Sequence, residues 1–153
     1  DLLRAPIRFE NVDVDDFMDC RPFCGVRAWL GGLYYKDDPA CANEKVQAVR
    51  DTFKKAYDEK KFSDAKQALT PLLDACGKFL NEIDEGWVRN DLAITLHHLG
   101  DDKACLATLK PLENLSEFLD DDIRSRRFTL DVEAEVRVAK ATRTNLKICR
   151  GKR

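Results

Sequence analysis

The sequence is poor in the residues that most enzyme chemistry uses. Its only histidines, His97 and His98, are adjacent. Neighbouring residues on a helix point about 100° apart, so these imidazoles cannot share a metal ion as an i, i+4 pair can. CxxC and HExxH segments are missing, and Cys20 and Cys24 are spaced by three residues, whereas zinc sites favour tighter ligand sets. No G-x-S-x-G, P-loop or dinucleotide fingerprint occurs. The paired acids at 15–16, 37–38 and 101–102 fall where caps and loops are expected, and carboxylates there bond backbone N–H groups. The chain is therefore read as non-catalytic, with no metal and no cofactor. No apolar run approaches the ~18 residues of a membrane span. A formal net charge of −2 disfavours a general nucleic-acid binder.

What is present points to one soluble domain. The chain has 153 residues, 44% of them hydrophobic and 35% charged, enough for a single sizeable core with solvated helix faces. Charge is unevenly spread. Residues 123–153 hold ten Lys or Arg against Asp131, Glu133 and Glu135, a local balance of +7 that leaves −9 elsewhere. An acidic body with a basic end can steer an acidic partner, although solvated cations on a helix and tail give the same pattern. Six cysteines (Cys20, Cys24, Cys41, Cys76, Cys105 and Cys149) are many for this length. The opening DLLRAPIRF, without methionine, fits a mature form after signal removal or a trimmed chain. Together these features predict three disulfides and a periplasmic or secreted location. The competing reading is small buried thiols in a cytosolic helical core.

Residues 1–38 read as an irregular extension, with short helices near 15–19 and 26–30. Asp38 and Pro39 then form a helix start, cap followed by first-turn proline. Val46, Val49, Phe53, Ala56 and Tyr57 recur at helical spacing. Ser63 is placed to cap a second helix whose apolar face is Phe62, Ala65, Ala68, Leu69, Leu72 and Leu73. A second pair follows near DEGWVRN, with Val88, Leu92, Ala93, Leu96 and Leu99 on one stripe. Gly100 supplies a left-handed stop, Asp101 a cap, and Ala104, Cys105, Leu106, Leu109 and Leu112 the next face. In the tail, 128–138 alternates like a strand. Its acids come first and its bases last, as a helix dipole prefers, and a lone strand would lack a partner. A helix is chosen.

AKQALTPLLDA at 65–75 aligns with CLATLKPLENL at 105–115 at a constant offset of 40 residues, matching Leu69 to Leu109, Pro71 to Pro111 and Leu72 to Leu112. A repeat of this period marks a stack of helical hairpins, and the recurring proline predicts a shared bend. LAITLHHLGDDKACLATL resembles a tetratricopeptide-type hairpin through Leu92, Ala93, Leu96, Gly100, Cys105 and Leu109. FKKAYDEKKFSDAKQAL is similar through Phe53, Ala56, Ala65 and Leu69. The offset exceeds that family's usual repeat. The predicted fold is all-α in a single domain: extension (1–38), two antiparallel hairpins (39–118) stacked as a short tetratricopeptide-like repeat, and a C-terminal packing helix with its tail (119–153).

This stack makes a prediction about the cysteines. In an antiparallel first hairpin Cys41 lies near Cys76. A tail helix running back along the helix of Cys105 brings Cys149 to that helix's start, which leaves Cys20 with Cys24. Cys76 and Cys105 would sit ~16 Å apart, beyond disulfide reach.

With no chemistry in view, the exposed side of each hairpin's first helix becomes the candidate binding surface. It carries Trp87, Asn90, Asp91, Ile94, His97 and His98 in the second pair, and Gln47, Arg50, Lys54 and Tyr57 in the first. Trp, Tyr and Arg are frequent interface anchors. Arg137, Lys140 and Arg143 form a second, weaker surface. The expected role is a protein-binding module of the envelope, in the first instance an immunity protein or inhibitor that masks a toxic secreted hydrolase. An assembly or chaperone adaptor that holds peptides, and an enzyme of unknown class, are the alternatives.

Overall fold

Asp38 caps as its position predicts. Its carboxylate accepts from the Ala40 N–H at 2.9 Å, and Pro39 opens a 3-10 turn, Pro39–Cys41. Helix α1 (Asn43–Asp58) follows Ala42, and α2 (Phe62–Cys76) folds back against it. The next hairpin is α3 (Glu82–His98) with α4 (Asp102–Leu109), closed by a 3-10 turn, Lys110–Leu112. Two short helices come next, α5 (Glu113–Glu117) and α6 (Asp120–Arg126), before the long α7 (Val132–Cys149). This computed structural model describes residues 38–126 and 131–151, among which no strand occurs. The tail is thus helical over Val132–Cys149. The expected extension, its two short helices and the Cys20–Cys24 pairing lie outside the described residues, as do Phe128 and Leu130 of the alternating segment.

The 40-residue repeat is present in three dimensions. α1 ends at Asp58 and α3 at His98; α2 begins at Phe62 and α4 at Asp102. Matched core positions are equally hidden: Ala65 with Cys105, Leu69 with Leu109, Leu72 with Leu112. Both hairpin turns use one backbone device. After α3, the Gly100 N–H reaches the His97 carbonyl at 2.8 Å and the Asp101 N–H reaches the Leu96 carbonyl at 2.9 Å. After α1, Lys60 and Lys61 bond Tyr57 and Ala56 in the same way, both at 2.9 Å. The device needs a left-handed residue at its corner, and φ is +80° at Gly100 and +58° at Lys60. The glycine suits the site, whereas a side chain there is strained.

Two local expectations need correction. Ser63 does not cap α2: the helix already starts at Phe62, preceded by Lys61 with no side-chain cap. The two prolines also do not produce one shared bend. Pro71 lies inside an uninterrupted α2, while α4 stops at Leu109 and Pro111 falls in the 3-10 turn. Pro111 cannot donate to Ala107, and the Lys110 N–H takes that carbonyl instead. The return helix of the second hairpin is accordingly short, and two short helices, α5 and α6, come before α7, where the sequence reading places the end of the second hairpin and the start of the C-terminal segment.

Both described disulfides match the pairing expected from the hairpins. Cys41–Cys76 closes the first hairpin with its Cα atoms 5.4 Å apart, and Cys105–Cys149 ties the start of α4 to the end of α7 at 6.1 Å. α7 packs against α3 and α4, and also against α5 and α6. Its contacts with α3 advance in step: Gly86 meets Val138, and Asn90 meets Thr142 and then Asn145. The two helices therefore run parallel. The contacts of α1 with α3 also advance in step, Arg50 to Asp91 and Tyr57 to His98. So α1, α3 and α7 lie side by side in one direction, with α2 and α4 behind them.

The turn device yields a stability prediction. No atom lies within 4 Å of a Cβ built on Gly100, so only backbone strain opposes a side chain there. Gly100→Ala is expected to lose ~1 kcal/mol in urea unfolding, and Lys60→Gly to gain up to ~1 kcal/mol. Equal responses at the two positions would contradict the shared device.

Candidate functional site

α3 is enclosed on most of its circumference. Val88, Leu92, Ala93, Thr95 and Leu96 are buried against the hairpin partners, and Gly86 and Asn90 against α7. Arg89 points to α4, donating to the Thr108 carbonyl and pairing with Glu85. The stripe left accessible is Asp84, Trp87, Asp91, Ile94 and His98, spaced by three and four residues. His98 is exposed and the other four are half-buried. This stripe lies between α1 and α7, whose flanking residues Ala134, Ala141 and Ile148 are also half-buried.

α1 reaches over the stripe with two side chains. Arg50 spans two carboxylates, its Nη2 3.6 Å from Asp91 and its Nη1 4.0 Å from Asp84. Burial raises the Asp91 carboxyl to about 6 from its ordinary 3.8, and the neighbouring Arg50 cation only partly offsets this. Tyr57 lies 3.1 Å from His98 Nε2 through its hydroxyl, and its phenol is also raised, first by burial and then by Asp91 and Asp58. His98 stacks on Phe62, the ring centroids 4.4 Å apart, and Tyr57 meets Phe62 edge-on. One end of the face is therefore an aromatic cluster and the middle an ion triad.

The residues expected from the sequence separate clearly. Arg50, Asp91, Tyr57 and His98 come together in one network. Trp87 and Ile94 share the same stripe, and Lys54 is exposed on α1. Gln47 is exposed too, donating to Asp51. His97 points away, its Nδ1 2.5 Å from an Asp102 carboxylate oxygen, so the two histidines serve different neighbours. Asn90 requires correction. Only 2% exposed, it donates to the Gly86 carbonyl and to Thr142, while Asn145 donates to its side-chain oxygen at 3.0 Å. It holds α7 against α3 and has no surface to offer. Gly86, one turn earlier, was the signal: a glycine within a helix marks the close approach of another element, and a Cβ there would lie 2.5 Å from Val138. Asp84, which completes the triad, was not anticipated.

Among the described residues no group of three His, Cys, Asp or Glu is placed to hold an ion, and no helix is long and apolar enough to cross a membrane. A separate cleft of about 320 Å³ opens between α3, α5 and α7, lined by Ile83, Leu112, Leu115 and Phe118 with Glu82, Glu85 and Glu135. These carboxylates are engaged, Glu85 by Arg89 at 2.7 Å.

Two predictions follow from this geometry. Asn90→Ala removes three side-chain hydrogen bonds from a buried position, to the Gly86 carbonyl, Thr142 and Asn145, and is expected to cost ~1–3 kcal/mol in chemical unfolding; a neutral effect would rule out the bracket. Asp91 holds its proton more tightly folded than unfolded. Its contribution to stability is therefore full below its ordinary value of 3.8 and is lost as pH rises through about 6. The stability difference between wild type and Asp91→Asn should fall across that window. A flat difference would show that Asp91 titrates normally.

No family model matches this chain, and neither a curated protein nor a solved structure matches it.

Proposed function

We propose that the chain is a non-catalytic protein-binding module of an oxidising compartment, an exported tetratricopeptide-like stack that docks another protein on the face of α1, α3 and α7. The observation that carries this reading is the accessible stripe of α3. This well-enclosed helix leaves out Trp87, Asp91, Ile94 and His98, and α1 brings Arg50 to Asp91 and Tyr57 to His98. Aromatic and arginine side chains are frequent energetic anchors of interfaces. Two disulfides support a periplasmic or secreted location.

Within this class, the favoured role is an immunity protein or inhibitor that masks a toxic secreted hydrolase. A broad, rigid face suits a folded partner, since neither side then pays to order a loose segment. An adaptor holding extended peptides would use the same face. The cleft beside Glu82 and Glu135 is what an enzymatic reading would draw on.

The test is titration of the oxidised protein into secreted hydrolases encoded beside it. Stoichiometric loss of one activity is expected. Trp87→Ala should weaken that inhibition by ~30-fold or more, the effect of removing an anchor worth ~2 kcal/mol. Inhibition unaltered by Trp87→Ala would remove the face from the mechanism. Binding of extended peptides without inhibition would favour the adaptor.

A further inference from the structure

We infer that the partner presents an acidic protein surface to the outer side of α7, next to the anchors Trp87 and Ile94. This rests on the docking face proposed above and names the chemistry of what it meets. From Val136 to the end of α7 there is no Asp or Glu. Arg137, Lys140, Thr144 and Lys147 are all exposed and follow each other at helical spacing, a stripe ~15 Å long. Arg150 extends it by about one turn.

Internal pairing does not use up this charge. Lys140 lies 3.0 Å from Asp120, which also pairs with Arg143, and Arg150 lies 3.1 Å from Glu113. Glu133, one turn before Arg137, is gripped by Arg124 through both oxygens, at 2.7 and 3.2 Å. Among the described residues no acid lies within ion-pair distance of Arg137 or Lys147. The helix dipole rewards cations only in the last turn, which covers Lys147 and Arg150, and Lys140 pairs with Asp120, which leaves Arg137 unexplained.

The stripe borders the half-buried flank Ala134, Ala141 and Ile148, so it forms the α7 edge of the docking face. The sequence outside residues 123–153 carries −9. An acidic partner would therefore be drawn to this edge and turned by it, which sets orientation more than affinity. A lipid surface is a poorer match, because the stripe has no exposed large apolar side chain to insert; the only ones among the described residues are Leu99 and Leu119. Nucleic acid is opposed by the net charge of −2.

The experiment measures binding of fluorescent poly-Glu and poly-Lys peptides of equal length to the full oxidised chain, alongside duplex DNA and phosphatidylglycerol vesicles. Proteins compared are the wild type, R137E/K147E and W87A. The reversed positions are exposed, so the variant keeps its fold, which circular dichroism checks. Poly-Glu is expected to bind in a salt-sensitive way, poly-Lys not at all, and R137E/K147E to weaken poly-Glu about tenfold or more. Absent poly-Glu binding at low salt, an unaffected double variant, or tighter binding of duplex or vesicles with the same sensitivity would each overturn the inference. W87A should leave poly-Glu binding intact. If poly-Glu fails while W87A still weakens hydrolase inhibition, the charge assignment falls alone. If W87A is silent there too, the docking reading falls with it.

Discussion

The accessible face exists because α7 lies hard against α3. That approach depends on Gly86, whose missing side chain makes room for Val138, and on Asn90, which bonds Thr142 and Asn145 across the gap. Moving α7 outward by one side chain would leave Asn90 facing an apolar void with unpaired groups, a costly state. The bracket thus fixes distance, direction and register together. It makes α7 the third parallel helix in a row with α1 and α3, and it closes one side of α3 so that a single stripe remains open. Cys105–Cys149 adds a covalent tie at the far end. Separation of α7 from the stack is then opposed over its C-terminal half by unlike forces, polar and covalent.

The repeat supplies the rest of the frame economically. One hairpin turn is used twice 40 residues apart, and the buried positions that follow it match one for one. The difference between Lys60 and Gly100 shows that the geometry is imposed by the bonds to Ala56 and Leu96 and not by the corner residue. A lysine accepts the left-handed conformation because two backbone bonds and the packed helices over-determine it.

Much of this was legible in the sequence, for identifiable reasons. Helical periodicity, the Gly100 stop and the Asp101 cap are local signals and are realised locally, Asp101 accepting from the Ala104 N–H at 2.9 Å. The pairings Cys41–Cys76 and Cys105–Cys149 followed from antiparallel hairpins, a topological argument that needs no side-chain detail. The cap assigned to Ser63 failed because Lys60 and Lys61 satisfy the preceding turn and let α2 begin at once. The fate of Pro111 depends on whether the chain beyond it continues as helix, which the sequence around Pro71 could not indicate. Asking which side of each first helix avoids the core picks out Arg50, Tyr57, Trp87, Asp91, Ile94 and His98, all of which lie at accessible or half-buried positions. Asn90 was misassigned because that question considers one helix at a time, and α7 covers α3 from a distance of some fifty residues along the chain.

The ion triad bears on why the face is built as it is. A partly buried carboxylate beside an arginine is expected to be held ionised, well below the usual range. Asp91 instead sits near 6, so burial outweighs what Arg50 returns. At 3.6 and 4.0 Å, Arg50 is also loosely engaged by both acids. Such an arrangement is a weak source of stability, and an apolar replacement would serve the fold as well or better. Under the proposed docking role its place on the open stripe, with Asp91 between Trp87 and Ile94, gives it another use. Covering the face with a partner would exclude water from a guanidinium whose bonds are incomplete. A partner able to complete them gains, and one that leaves them stranded loses by the full cost of a buried unpaired group. On the proposed docking role, the triad would penalise the wrong partner more than it rewards the right one, as a face selective for one occupant requires.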